Sequence, residues 1–264
     1  MARIGVIKAH AYGNDFLFVH REEATADLPS LTRSMCDRHQ GIGGDGVIVY
    51  DLGPGTATME LFNADGTPSE LSGNGLRCLA ALVARAQALE AGATITVATG
   101  AGSKTLELLA RQGARYSFRA ALGAPTDVRQ VAIPVLGETL TASVLGMGNP
   151  QCVILGPLPE PERFHRLGPA LATHAMFPAG TNVEFANVEA PDQVRILIWE
   201  RGVGPTTSSG TGASASAVAA AAHGGASRDV LVAAPGGTQR VEWRDDGVYL
   251  TGWAQIVFEG TWVV

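Results

Sequence analysis

Most of the chain consists of short runs in which apolar and polar residues alternate, the pattern of half-buried β-strands. Turn residues separate these runs, and glycine, with 33 copies, is the commonest of them. The pattern predicts strands over residues 16–20, 46–51, 58–63, 93–98, 104–110, 115–119, 151–155, 181–186, 194–200, 230–233, 239–243, 248–251 and 254–259.

Four longer stretches have the periodicity of helices. Residues 28–38 and 161–173 keep their apolar side chains on one face, as helices on the outside of a sheet do. Residues 75–89 and 212–223 are rich in alanine and leucine, and each directly follows a glycine turn. A helix that is apolar on every side is buried. We therefore predict that these two helices are the centres of two cores.

The order of elements repeats along the chain. In each half a Gly-Asn turn leads into a strand, and a later strand runs through a Ser-Gly-x-Gly turn into an apolar helix. Ser72 and Ser209, which open these two turns, are 137 positions apart, and Asn14 and Asn149 are 135 apart. Near-equal offsets indicate duplication. We predict two pseudo-symmetric α/β (α+β) lobes over residues 1–120 and 121–264, with the C-terminal strands as candidates to return to the first lobe.

The Ser-Gly-x-Gly turns are candidate binding sites because the first N–H groups of a helix lack hydrogen-bond partners within that helix. These donors and the positive end of the helix dipole form an anion site. An ordinary serine N-cap explains either turn alone. Two turns at matched positions favour a shared site that holds one anion, such as a carboxylate, and we expect Ser72 and Ser209 to face each other there.

Composition narrows the class of protein. With 46% hydrophobic and 17% charged residues the chain is globular, and a net charge of −6 with no run of Lys or Arg gives no face for nucleic acid. Three widely spaced cysteines indicate neither disulfides nor a zinc site. No stretch is long and apolar enough for a membrane span or a signal peptide. We expect a cytoplasmic protein with no metal.

Some residues near the turns have simpler explanations. Residues 41–46 fit the dinucleotide pattern G-x-G-x-x-G, but that pattern needs a strand before it and a helix after it. Here a polar segment precedes the glycines and a strand follows, so nucleotide binding is not indicated. His10 is expected to be a structural hydrogen-bonding group, Arg77 to support its loop, and Cys78 to lie in the core.

Taken together, eight motifs in order along nearly the whole chain resemble those of the diaminopimelate epimerase family. The motifs are Lys8-x-His-x-x-Gly-Asn-Asp-Phe, Asp37-Arg-His-x-Gly-Ile-Gly-x-Asp-Gly, Phe62-Asn-Ala-Asp-Gly, Gly73-Asn-Gly-x-Arg-Cys, Gly148-Asn-Pro, Thr181-Asn-Val-Glu-Phe, Glu200-Arg-Gly-x-Gly and Gly210-Thr-Gly. The resemblance implies two lobes, each a barrel-like sheet around a central helix, with the active site in the cleft. It also implies a pyridoxal-independent isomerase that acts on a small amino acid without a cofactor and commonly forms a homodimer.

The resemblance assigns residues to a site. The catalytic positions, where the family has two cysteines that move the Cα proton, are Ser72 and Ser209 in this sequence. The substrate-binding positions are Asn63, Gly73, Asn74, Glu200, Arg201, Gly210 and Thr211 around the α-carbon, and Asn14, Asn149 and Asn182 at the distal end.

The chain departs from the family pattern at four positions. Ser72 and Ser209 replace both cysteines, Gln151 stands where the family has histidine, and Pro205 stands where it has glutamate. A serine hydroxyl is a far weaker acid than a thiol and needs an activating group. Three interpretations stay open: an epimerase for diaminopimelate or a related amino acid that uses serine, a homologue that binds an amino acid without turnover, and a Cys-to-Ser variant.

Overall fold

The computed structural model describes residues 3–24 and 27–263. The chain divides into two compact units. Residues up to Ala120 together with those from Gly252 onward form the first unit, and Ala121–Thr251 forms the second. Within the described residues there are seventeen strands and four α-helices.

The first unit holds a closed ring of eight strands in the order β17, β1, β2, β3, β4, β6, β7 and β8, with β8 pairing back onto β17. Its elements are β1 (Arg3–Ala11), β2 (Asn14–His20), α1 (Leu28–Cys36), β3 (Gly46–Gly53), β4 (Thr56–Asn63), β5 (Pro68–Ser69), α2 (Gly73–Ala86), β6 (Thr94–Thr99), β7 (Gly102–Gln112), β8 (Arg115–Gly123) and the end of β17 (Gly247–Val263).

The second unit pairs its strands in the order β9, β10, β11, β12, β13, β15, β16 and the beginning of β17. The elements not yet given are β9 (Thr126–Val135), β10 (Glu138–Gly146), β11 (Pro150–Leu155), α3 (Pro161–Ala172), β12 (Asn182–Ala190), β13 (Gln193–Glu200), β14 (Gly204–Thr206), α4 (Gly210–His223), β15 (Asp229–Ala234) and β16 (Gly237–Arg244).

The two units share one topology, as the sequence repeat predicted. In each, an antiparallel hairpin is followed by an outer helix, a parallel strand, a second hairpin, an inner helix and another parallel strand. The register repeats as well, because Phe18 pairs with Ile48 and Ile48 with Leu61, just as Val153 pairs with Glu184 and Glu184 with Ile198. The fold is therefore a duplicated α+β unit.

The predicted inner helices are buried. Residues 74–84 of α2 and 212–220 of α4 have no exposed position. Each helix forms a core with the strands around it, with Leu79 at 0% exposure in the first unit and Val218 at 0% in the second. Helices α1 and α3 pack on the other face of their sheets through one apolar side each. Truncating a buried leucine such as Leu79 to alanine would cost about 2–5 kcal/mol.

Several predicted boundaries need correction. The predicted strands at 248–251 and 254–259 are one continuous strand, β17, because hydrogen bonding to different partners along its length carries it through Gly252. Strands β1, β5, β9, β10 and β14 were not predicted. Helix α2 begins at Gly73, two residues before the predicted start, and ends at Ala86 rather than at residue 89.

The glycine-rich segment 41–46 serves close packing. A Cβ on Gly41 would lie 2.3 Å from the Ser34 carbonyl oxygen, and one on Gly46 would lie 2.5 Å from the Phe62 carbonyl oxygen. Gly46 begins β3, so a strand follows the glycines, as predicted. The three cysteines are free and buried. None of the helices in the described part of the chain is long and apolar enough to cross a membrane.

Candidate active site

Ser72 and Ser209 occupy equivalent positions at the N-termini of α2 and α4. Their backbone angles are nearly equal, with φ −128° and ψ 121° for Ser72 and φ −135° and ψ 126° for Ser209. Each Oγ accepts a hydrogen bond from the N–H three residues later, at 3.1 Å from Gly75 and 3.2 Å from Gly212. The prediction that both serines stand at helix N-termini is confirmed.

The same geometry leaves donors for an anion. The serine carbonyls accept the first helical hydrogen bonds, from Leu76 and Ala213. The residues just after each serine come before these first helical donors in the sequence. Their N–H groups therefore have no carbonyl partner in the helix and point out of its end. Ser72 and Ser209 are each partly exposed. Each turn therefore presents a hydroxyl beside backbone donors at the positive end of a helix.

In the first unit, Asn74 and Asn14 are joined directly. Asn74 Nδ2 donates to Asn14 Oδ1 at 3.1 Å, and Asn14 Nδ2 donates to Asp45 Oδ2 at 2.7 Å. Arg77 Nη2 donates to Asn74 Oδ1, so Arg77 supports the loop as expected. Asn63 does not join this network; its Nδ2 donates to Thr67 Oγ1 at 3.0 Å. Gly73 is exposed, with open space where a Cβ would lie.

A cluster of charges fixes the start of β2 beside this network. Lys8 Nζ lies 2.8 Å from Asp15 Oδ2, and Arg38 Nη2 lies 2.7 Å from Asp15 Oδ1 and 2.9 Å from Asp45 Oδ1. Burial opposes ionisation of Asp15, but the hydrogen bonds from Arg38 and Lys8 outweigh it and lower the pKa of this carboxyl. The ion pair with Arg38 fixes the Asp45 carboxylate, and that carboxylate accepts the hydrogen bond that fixes the Asn14 amide.

In the second unit, the predicted asparagines lie at strand ends. Asn182 Oδ1 accepts from the Arg201 N–H at 3.0 Å, and its Nδ2 donates to the Pro150 carbonyl at 3.2 Å. Asn149 Oδ1 accepts from Gln151 Nε2 at 2.6 Å. These bonds place both amide groups at one end of the strand pair β11–β12.

Of the remaining predicted residues of the second unit, Gly210 and Thr211 belong to the Ser209 turn, whereas Glu200 and Arg201 lie at the end of β13. Thr211 Oγ1 lies 3.5 Å from Ser209 Oγ, and Gly210 and Thr211 are partly exposed. Glu200 Oε1 accepts from Thr206 Oγ1 at 2.8 Å. The Arg201 side chain is exposed and donates to the Ala179 carbonyl at 2.9 Å.

The two turns differ in what lies beneath them. A Cβ on Gly212 would meet Glu184 Oε1 at 2.6 Å and Ser209 Cβ at 3.2 Å, whereas a Cβ on Gly75 would meet Ile48 Cδ1 at 2.8 Å. Glu184 and Ile48 hold equivalent places in the strand register. Glu184 is a residue that the sequence prediction missed, although it lies within a quoted motif. The second turn thus has a buried carboxyl group where the first has a methyl group.

Two carboxyl groups of the second unit, those of Glu184 and Glu200, are hard to ionise. Burial, with the neighbouring Glu200 as a second cause, raises the pKa of Glu184 well above its usual range. Burial also raises the pKa of Glu200, and the Thr206 hydrogen bond opposes this only in part. Among the described residues no cluster of His, Cys, Asp and Glu has the makings of a metal site.

Two further predictions are confirmed. His10 Nδ1 accepts from the Gly13 N–H at 3.2 Å, so His10 is a hydrogen-bonding group of the β1–β2 turn. Cys78 has 0% exposure, and burial raises the pKa of its thiol to about 12. Cys78 is thus a core residue rather than a nucleophile.

The fold is that of amino-acid epimerases and related isomerases. A predicted epimerase from Pseudomonas aeruginosa covers 99% of this chain and of its own at a TM-score of 0.72 and 16% identity. A hydroxyproline epimerase from Agrobacterium vitis covers 98% of this chain and 92% of its own at a TM-score of 0.68 and 15% identity. These likenesses establish the architecture alone.

Sequence comparison is more specific. The family model for diaminopimelate epimerase matches residues 6–126 and 143–257. The diaminopimelate epimerase of Desulforudis audaxviator is 41% identical over 97% of this chain and 98% of the relative. That of Desulfitobacterium hafniense is 38% identical over 97% and 96%. The chain belongs to the diaminopimelate epimerase family.

Proposed function

We propose that this chain is a diaminopimelate epimerase that inverts one α-carbon of its substrate, with Ser72 and Ser209 transferring protons on opposite faces of that carbon. The observation that carries the proposal is the repetition of one turn geometry in both units, with a hydroxyl and free backbone donors at each helix N-terminus. One group removes the Cα proton and the other returns a proton to the opposite face. No cofactor takes part in this proposal.

The backbone donors supply the electrostatic part of the reaction. When the Cα proton leaves, its electron pair stays on the substrate and spreads into the α-carboxylate, whose negative charge grows. In the proposed reaction, backbone donors at the helix N-termini bind this carboxylate and stabilise the added charge without rearranging. Glycine after each serine supports this role, because Gly73 leaves the backbone N–H open to a ligand.

The amide groups favour a second carboxylate at the distal end of the substrate. The side-chain oxygens of Asn14, Asn149 and Asn182 already accept hydrogen bonds within the protein. Each asparagine retains at least one N–H for a ligand, because an amide nitrogen has two donors and at most one is used in each. Donors without acceptors select a carboxylate over an ammonium group, which fits a diacid amino acid.

Serine in place of cysteine sets the expected rate. A thiol with a pKa of about 8.5 yields a thiolate near neutral pH, whereas a hydroxyl is far less acidic. The N–H donated to each Oγ and the helix dipole favour the anionic oxygen, but they close only part of that gap. We expect slow turnover compared with a two-thiol site.

Solvent deuterium exchange tests the proposal. In D₂O, the wild-type chain should incorporate deuterium at Cα of LL-diaminopimelate, read by mass spectrometry, and meso product should appear. Ser72→Ala and Ser209→Ala should each lower exchange by about 10²–10⁴-fold, the usual contribution of a general acid or base. Ser208→Ala, one residue from the turn, is the matched control and should exchange like wild type. Binding of diaminopimelate with no exchange by the wild-type chain would refute catalysis and leave a binding protein.

Family membership also supports a homodimer in the cytoplasm, working on a small amino acid and not on nucleic acid. Analytical ultracentrifugation of the purified chain tests the proposed dimer. A sedimentation coefficient that corresponds to a 27.4 kDa monomer would contradict it.

A further inference from the structure

Glu184 and Gln151 lie together under the N-terminus of α4. Gln151 pairs with Asn182 and Val153 with Glu184 across strands β11 and β12, so all four side chains share the face that packs on α4. Glu184 has 0% exposure and Gln151 has 1%. Of the Gln151 amide, one terminal atom lies 3.1 Å from Glu184 Oε1 and 3.3 Å from Oε2, and the other lies 2.6 Å from Asn149 Oδ1.

Gln151 can satisfy these neighbours in two ways, and the protonation of Glu184 decides between them. If Glu184 is ionised, the Gln151 nitrogen must face it, and Asn149 must then turn its amide to give a donor to the Gln151 oxygen. If Glu184 carries a proton, its hydroxyl donates to the Gln151 oxygen, and the Gln151 nitrogen donates to Asn149 Oδ1. Only the second arrangement leaves both Asn149 N–H groups for a ligand.

The surroundings of Glu184 favour the protonated form. On β13, Glu200 is the ionisable group that acts on it, and it is another acid. On β11, Gln151 is neutral, and Cys152 points to the other face of the sheet, where its thiol stays protonated. On α4, Ser209 and Gly212 are uncharged. A buried carboxylate with no cation to balance it takes up a proton.

We propose that Glu184 and Gln151 form a neutral hydrogen-bonded pair that fixes the Asn149 amide with both N–H groups directed at the substrate. Both are positioning residues, since they act through Asn149. The inference rests on the proposed function, in which Asn149 binds the distal carboxylate. It also explains Gln151: a neutral acid pairs with a neutral amide, whereas a histidine at this position would draw the proton from Glu184.

The first unit supplies the contrast. Phe16 and Ile48 hold the places in the register that Gln151 and Glu184 hold in the second, and both are buried apolar side chains. The fold therefore does not need a polar pair at these positions. The pair in the second unit serves that unit's ligand contacts.

Three variants test the pair by affinity for diaminopimelate, measured by titration calorimetry at pH 7. Glu184→Gln keeps a neutral donor of the same shape and should bind within about threefold of wild type. Glu184→Leu and Gln151→Leu remove the pair and should each weaken binding about tenfold or more, the value of a hydrogen bond to a charged group. Glu189→Gln, on the exposed end of the same strand, is the control. If Glu184→Gln loses as much affinity as Glu184→Leu, Glu184 acts as a charge and the proposal is wrong.

A measurement without ligand separates this inference from the proposed function. The carboxyl ¹³C resonance of Glu184, assigned as the one absent from Glu184→Gln, should stay at the position of a protonated acid from pH 4 to pH 7. A resonance that titrates near the usual glutamate value of about 4.3 would overturn the neutral pair, whatever the leucine variants do. If the wild-type chain binds no diaminopimelate, the proposed function and the role of Asn149 both fail, while the resonance still decides the state of Glu184.

Discussion

Adding one methyl group at Gly212 should destabilise the protein, although glycine-to-alanine changes in helices normally do the opposite. Alanine in a helix is favoured over glycine by about 1 kcal/mol. At Gly212, however, the new Cβ would lie 2.6 Å from Glu184 Oε1 and 3.2 Å from both Glu184 Cδ and Ser209 Cβ, and Glu184 has 0% exposure, so its carboxyl group would have to shift within the core. Overpacking of this kind costs about 1–3 kcal/mol. We expect Gly212→Ala to lose about 1–2 kcal/mol in net stability.

Two other glycines provide internal controls for this change. At Gly73 an added Cβ would meet nothing within 4 Å, so Gly73→Ala should be neutral or stabilising. At Gly75 the nearest atom is Ile48 Cδ1 at 2.8 Å and the next lie at 3.4 Å, a smaller overlap than at Gly212, so Gly75→Ala should fall between the two. Thermal unfolding followed by circular dichroism measures the order. Gly212→Ala should lower Tm by about 3–6 °C. A Tm for Gly212→Ala equal to or above that of Gly73→Ala would refute the packing of Glu184 against α4.

Two further variants probe the charges of the first unit. The fold lowers the pKa of Asp15. Its contribution to the free energy of unfolding is therefore fully present above the unfolded-state pKa of about 3.9 and is lost as the pH falls through the lower folded-state pKa. Asp15→Asn should therefore cost about 1–3 kcal/mol at pH 7 and little near pH 2, measured by urea unfolding at both pH values; an equal loss at both would contradict the ion pairs. Arg77 is buried, no carboxylate among the described residues forms an ion pair with it, and burial lowers its pKa. Arg77→Met should leave Tm unchanged or higher while weakening diaminopimelate binding through Asn74, and a large fall in Tm would contradict this.

Local patterns predicted the helices and the duplication, because those depend on residues near one another in sequence. The apolar stretches on either side of Leu79 and Val218 are helical and buried as predicted. The Ser-Gly-x-Gly turns predicted the caps at Ser72 and Ser209, since capping is decided within four residues. The serine hydroxyls and their backbone donors could thus be placed from the sequence.

Features that depend on distant partners could not be predicted in this way. Apolar residues alternate in the hairpin β9–β10, as at Val131, Ile133 and Val135, but Pro134 and the exposed Leu136 interrupt the pattern, and only the fold shows that its apolar face packs on α3. Glu184 follows Val183 and precedes Phe185, and this alternation predicts a polar, outward side chain. In the fold, α3 covers one face of β12 and α4 covers the other, so Glu184 is buried as well.

Replacing both serines by cysteine tests most directly the claim that Ser72 and Ser209 are the two proton-transfer positions. Only the acidity of these groups changes, so Ser72→Cys/Ser209→Cys should raise the rate of deuterium exchange at Cα of LL-diaminopimelate by about 10²–10⁴-fold over wild type. Ser208→Cys, a thiol one residue away, should give no increase. A folded double-cysteine variant that exchanges no faster than wild type would show that these positions do not handle the proton.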